Sequence, residues 1–361
     1  MKPFRTGLVV LAAACLLGLA TLASSPVTRA QSRIFFQIST GAASGTYFPI
    51  GELLAGIVSH PPGNSRCAQP GVCGPEGLIA STRTSDGAVA NVFAVNSGAV
   101  DSGLAQADVI ADAVAGKAQF AKTGAQKHLR VIASLYPEDV HLIAAAKAKI
   151  AGVVDLRGKR VSLGARDSGT LLTAREVLGA FRLSERSLKA SYETADVAAR
   201  KIESGQIDAM FFIGGAPVPL VEELLAGGKA RLVPIDGDGA RRLARSTPSL
   251  AQSAIAAGAY PRTPRTPTVS TRAIWVVNDS EPGDLVYGIT RALFNPANRA
   301  LLDQGHLSAR LIRLETATAN LPAPLHPGAA RFYAQVHVLP AALDPAANAP
   351  APKPRPMPRK I

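Results

Sequence analysis

Two rhythms of apolar positions alternate along most of the chain. Short runs rich in β-branched and aromatic residues predict strands at 33–39 (RIFFQIS), 78–83, 102–106, 129–136, 140–146, 160–165, 209–215, 231–236 and 273–279. Apolar residues three and four apart predict helices at 47–60 (YFPIGELLAGIVSH), 87–98, 171–181, 194–205, 219–227 and 281–295. Strands interleaved with helices in this order predict an α/β fold with mainly parallel sheets. No tandem repeat of short period interrupts the pattern. With 361 residues the chain exceeds what one core serves well, about 250–300 residues, so two lobes are expected.

The ends follow other rules. Residues 1–30 carry Lys2 and Arg5, then the apolar run GLVVLAAACLLGLATLA, then small residues at Thr28 and Ala30. This layout predicts a secretory signal peptide cut after Ala30, the alternative being a retained membrane anchor. Residues 344–361 are rich in proline and basic residues and too poor in apolar ones to fold, which predicts a disordered tail.

Removing the leader takes Cys15 with it and leaves Cys67 and Cys73, separated by proline, glycine and polar residues. In an oxidising compartment these two thiols are expected to pair, closing a loop worth about 2 kcal/mol. The six histidines are scattered and form no ligand pair with the cysteines, so no metal site is expected. Leader and tail each hold +3 of the formal charge of +13, leaving +7 spread over residues 31–343. No basic block with interleaved aromatics occurs, which argues against nucleic acid and for a mildly cationic surface suited to an anionic ligand.

Chemistry gathers at two corners that share Ser-Gly-Thr. In STGAASGTYFPIGELL, Gly41 and Gly45 allow close approach of backbone to a ligand, and Ser39, Thr40, Ser44 and Thr46 supply hydroxyls before a helix begins. In VSLGARDSGTLLTAREVL, Gly164, Ser168, Gly169 and Thr170 repeat the arrangement. A strand leading through such a turn into a helix N-terminus suits a carboxylate, while the same residues also serve as plain helix caps and turns. Two matching corners predict one wall on each lobe of a shared cleft, at the carboxyl ends of the strands.

The segments STGAASGTYFPIGELLAGI, GLAQADV, LRVIASLYPEDVHLI, DLRGKRVSLGARDSGT, SGQIDAMFFIGGAPVPLVEEL and PLHPGAARFY fall in the order seen in the TAXI family of solute receptors, which serve TRAP transporters. Over about residues 33–335 the chain resembles that family. The resemblance implies a two-lobed, type II-like periplasmic binding protein with two crossover strands: lobe 1 over 31–140, lobe 2 over 141–269, and a return that completes lobe 1 over 270–343. It implies a monomer that closes over a small organic anion, a glutamate-like amino acid or a dicarboxylate, and hands it to a TRAP-type permease. Carried across, its ligand residues are Thr40, Gly41, Gly45, Thr46 and Tyr47 in the first loop, then Thr84, Ser85, Asn91 and Gln106. In the second lobe they are Ser168, Gly169 and Thr170, with Gly214 and Gly215 as a third cleft edge. Ala43 and Phe48 stand where the family tends to have Gly or Tyr, and Arg166 with Asp167 where it tends to have Pro-Gly. Arg166 either clamps a ligand carboxylate or pairs with Asp167 or solvent on the rim. Tyr47 either stacks on and bonds the ligand or packs beneath the loop.

The sequence lacks G-x-S-x-G, H-E-x-x-H and a phosphate-binding loop, and DGDG at 236–239 is too short for a calcium loop. No cofactor fingerprint is present, and a non-catalytic binding protein is expected. A periplasmic sensor that reports its ligand to a membrane partner shares every one of these features; an enzyme on the same fold is the more distant alternative.

Overall fold

The structure, a computed structural model, describes residues 33–338. The expected signal peptide and the expected tail lie outside the described residues. Within them the α/β expectation holds.

The first lobe begins with β1 (Ile34–Ser39), β2 (Leu78–Arg83) and β3 (Ser102–Gln106), parallel strands in the order β2-β1-β3. Each leads into a helix: α1 (Tyr47–Val58) after β1, α2 (Ala88–Asn96) after β2, and α3 (Ala107–Ala115) after β3. The chain then leaves this lobe in β4 (Leu129–Ala145), which runs on into the second. There β5 (Arg160–Ser162), β6 (Lys189–Ser191) and β7 (Ala209–Gly214) form the parallel part, in the order β7-β5-β6 beside β4. Helices α4 (Gly169–Ala180), α5 (Ala195–Glu203), α6 (Pro219–Ala226) and α7 (Gly237–Ser246) alternate with them. Two further strands flank the crossover, β8 (Ala230–Val233) on β4 and β9 (Ala251–Ile255) on the next long strand. That strand, β10 (Thr266–Asn278), brings the chain back antiparallel to both β4 and β3. Helices α8 (Gly283–Leu293), α9 (Arg299–Gly305) and α10 (Pro327–Gln335) complete the first lobe. The result is a two-lobed fold joined by two crossover strands.

Side-chain alternation explains how one sheet serves both lobes. In the second lobe Val140, Leu142, Phe211 and Ile213 face one core, while Ile143, Met210 and Phe212 face another on the opposite side. Such strands are buried on both faces and read as nearly continuous apolar runs. The first lobe packs around Trp275, Phe36, Ile50, Leu54 and Tyr333. The indole N–H of Trp275 donates to Ser102 Oγ at 3.1 Å, which meets the need of a buried indole for a partner.

Two expected strands, 129–136 and 140–146, are in fact one. Pro-Glu-Asp reads as a break, yet β4 passes straight through it. Pro137 lacks an N–H to donate, and the β10 register slips between Arg272 and Ile274 beside it, so the ladder asks no donor of it. Likewise β10 starts seven residues before 273–279, because Thr266, Thr268 and Thr271 are buried polar positions that conceal the strand. Cys67 and Cys73 are joined by a disulfide, Cα atoms 5.3 Å apart, and pack with Val72 in a small cluster of their own.

Candidate functional site

Five helices begin at one cavity of about 190 Å³. Its lining includes Thr46 and Tyr47 at the start of α1, Gly87 and Ala88 of α2, and Gln106, the residue before α3. From the second lobe come Ser168 and Gly169 of α4, and Thr194 and Ala195 of α5. Free backbone N–H groups at helix starts carry partial positive charge, so their convergence makes a region suited to an anion without any cationic side chain. The floor is β7, through Phe211, Phe212 and Ile213.

The lobes touch around this cavity. Ser44 Oγ donates to Asp196 Oδ2 at 2.8 Å, and the Ala90 N–H to the Asp167 carbonyl at 3.2 Å. Gln119 Nε2 donates to the Arg166 carbonyl at 2.8 Å. Deeper in, Asp108 of α3 accepts Thr173 Oγ1 of α4 at 2.5 Å and Thr271 Oγ1 of β10 at 3.0 Å. Burial pushes the Asp108 carboxyl up, against the pull of those two hydroxyls. Gly87 sits at φ +122°, and a Cβ there would come within 3.3 Å of the Ser168 backbone. Glycine is therefore needed at this point both for its backbone angle and for the close approach of the lobes.

Of the residues expected from sequence, the cavity gathers Gly41, Gly45, Thr46, Tyr47, Ser85, Gln106, Ser168, Gly169 and Thr170. The others stand behind it or beside it. Thr40 turns its hydroxyl to the Arg83 carbonyl. Asn91 is buried and braces the loop. Thr84 lines a neighbouring groove with Ala43 and Arg83. Gly214 packs on Thr46 and Phe212, and Gly215 on Ser308 and Tyr136. Arg166 is not part of the lining; its guanidinium lies 4.4 Å over the ring of Tyr192, a cation–π contact. Ser168 caps α4, accepting the Leu171 N–H at 3.2 Å.

The structure adds residues that pattern reading passed over. Asp86 and Glu193 join the lining, as does Glu138 from the middle of β4. Glu138 accepts the Tyr47 hydroxyl at 2.8 Å, so that phenol is tied beneath the loop. Burial pushes Glu138 up to about 8; the Tyr47 bond opposes this, while Asp108 and Asp139 add to it. For Glu193 the rise from burial is outweighed by the Lys201 ammonium bonded to its Oε1, which holds the carboxyl below the usual range. A carboxylate between two apolar β runs was the available signal for Glu138, masked by the apparent break. Behind the site, His141 is neutral: burial lowers it to about 4, and Nδ1 meets the Asp139 carbonyl at 2.9 Å while Nε2 meets Tyr260 at 2.8 Å.

Two α/β lobes, two crossover strands and a cavity between them define the fold class of the two-lobed periplasmic binding proteins. The chain belongs to the NMT1-like family, whose model matches residues 38–336. Among solved structures it is similar to the alkanesulfonate-binding protein SsuA from Xanthomonas axonopodis pv. citri bound to MOPS, at 17% identity over 88% of this chain and 84% of that one, TM-score 0.44. It is similar to the periplasmic aliphatic sulphonate binding protein SsuA from Escherichia coli, at 16% identity over 88% and 83%, TM-score 0.43. It is also similar to the periplasmic binding protein BugD, at 13% identity over 88% and 95%, TM-score 0.49.

Proposed function

We propose that the protein is an extracytoplasmic solute-binding protein that captures a small organic anion by closing two lobes over it, without transforming it. The observation that carries this reading is the convergence of five helix N-termini, from both lobes, on one cavity. Backbone N–H groups there can take a carboxylate with no arginine or lysine, and a ligand touching both walls favours the closed form by its differential affinity. The lining offers hydroxyls, an amide and carboxylates, but no histidine, cysteine or lysine to act as nucleophile and base together. The TAXI resemblance supplies the finer reading: export to the periplasm, a glutamate-like amino acid or dicarboxylate as ligand, and delivery to a TRAP-type permease.

The test is a thermal-shift screen of the protein without its leader against amino acids and dicarboxylates, followed by small-angle scattering and mass spectrometry on any hit. A true ligand at a hundred times its Kd adds about 2.7 kcal/mol of stability, contracts the molecule and is recovered unchanged. Recovery of a chemically altered compound, or binding without contraction, overturns the proposal.

A further inference from the structure

The cavity holds acids and no bases. Asp86 is exposed at its edge, and Glu193 is ion-paired through Oε1 with Lys201 while its Oε2 is bare. Glu138 differs from both. It is 1% exposed, and no lysine, arginine or histidine forms an ion pair with it among the described residues. The base nearest along the ladder, Arg272, opposite Pro137, is turned instead to Ser134 Oγ at 2.5 Å and the Leu135 carbonyl at 3.2 Å. Gln106, 4% exposed and lining the same cavity, has an Oε1 with no hydrogen-bond partner. Two buried acceptors thus border one space, one of them a carboxyl whose only hydrogen bond among the described residues comes from Tyr47. A buried polar atom without a partner costs about 1–3 kcal/mol, so a packed wall alone gives no reason for the bare Gln106 Oε1 in a cavity shared with a buried carboxyl held by one phenol. A ligand donor would satisfy them, and an ammonium group, with three N–H donors and a positive charge, matches a carboxylate beside an amide oxygen.

We propose that Glu138, aided by Gln106, is the specificity-determining residue of the cavity and reads a protonated amine on the ligand, so that an amino acid is accepted and the dicarboxylate of the same length refused. This rests on the cavity being the ligand site. The helix N-termini take the carboxylate end; a second carboxylate would add negative charge beside Asp86 with no cation in the lining to offset it, and could not draw the proton off Glu138 as an ammonium group does. The titratable groups facing Glu138 are Tyr47 from α1, Asp108 from α3, and Tyr136 and Asp139 on its own strand. Its raised pKa, about 8, keeps it protonated near neutral pH until an ammonium group arrives, so binding the amine releases a proton to solvent.

Titration calorimetry of the whole exported chain with the standard amino acids, L-glutamate among them, and with glutarate and succinate tests this, run in two buffers of different ionisation enthalpy. The expected result is at least one amino acid bound, with release of nearly one proton, and at least a hundredfold preference over its counterpart lacking the amine. Glu138→Gln is expected to lose both the preference and the proton release while still melting cooperatively. If that variant fails to fold, the amine comparison and the buffer pair on the unaltered protein decide alone. Dicarboxylates bound as tightly as amino acids, or an amine-bearing ligand bound without proton release, overturn the inference and leave the binding-protein reading standing. Failure of both classes to bind overturns both.

Discussion

The carboxamide of Asn91 makes four hydrogen bonds at no exposure to solvent. Its Oδ1 accepts from Ser39 Oγ and Ser85 Oγ, each at 2.6 Å, and its Nδ2 donates to the carbonyls of Thr40, at 2.5 Å, and Leu104, at 2.7 Å. Those partners lie on β1, the loops after β1 and β2, and β3, so one side chain on α2 fixes the carboxyl ends of three strands. Replacing it by leucine keeps the volume but takes away the acceptor of the Ser39 hydroxyl and the side-chain donor to the Leu104 carbonyl, while Ser85 Oγ still reaches the Thr40 carbonyl at 2.9 Å. With about 1–3 kcal/mol for each group left unsatisfied, Asn91→Leu should cost about 2 kcal/mol or more in urea unfolding. A residue whose role was ligand contact alone would cost little stability and lose affinity only, so an unchanged unfolding midpoint would return Asn91 to the ligand.

At the scale of elements, the site depends on how closely α4 approaches α3. Gly169 opens α4, and a Cβ there would run into Gln106 Oε1 from the opposite lobe. Alanine is a good helix former, so Gly169→Ala should leave the melting temperature unchanged or slightly raised, yet displace Gln106 and weaken ligand binding about tenfold, a loss of about 1.4 kcal/mol. Equal affinity in calorimetry would show that the lobes do not need this contact. The glycine itself was legible in the sequence, because Ser-Gly-Thr after a β run marks a strand-to-helix corner. What it packs against was not, since Gln106 lies 63 positions away and only the packing of the two lobes brings them together. Strands 78–83 and 102–106 were legible to the residue, being short and apolar with clear turns on either side. Polar helices escaped: α7, GDGARRLARS, buries little beyond Ala240 and Leu243, and arginines fill the rest of its face. Glu138 escaped for a related reason. Local pattern treats Pro-Glu-Asp as a turn, and only pairing with strands far along the chain, β7 and β10, holds it extended.

For the whole molecule, closure presses acid against acid. Helix α3 carries Asp108 and Asp112, and α4 sets Thr173 and Glu176 against them from the other lobe. Burial pushes Glu176 up to about 7, with Asp108 and Asp112 adding to the rise and a bond to Thr247 opposing it. In the open form that the proposed function requires, water and distance return Glu176 toward its ordinary value of 4.5. The closed form then binds the extra proton between 4.5 and about 7: closure is favoured as pH falls through that window and penalised once pH rises above it. Small-angle scattering of the ligand-free protein should therefore show a smaller radius of gyration below pH 7 than above it. Glu176→Gln, which keeps the shape and removes the charge, should stay contracted on both sides and bind ligand more tightly than the unaltered protein above pH 7. A variant whose radius changes with pH as much as the parent's would place the pH response elsewhere and leave the α3–α4 contact as packing alone.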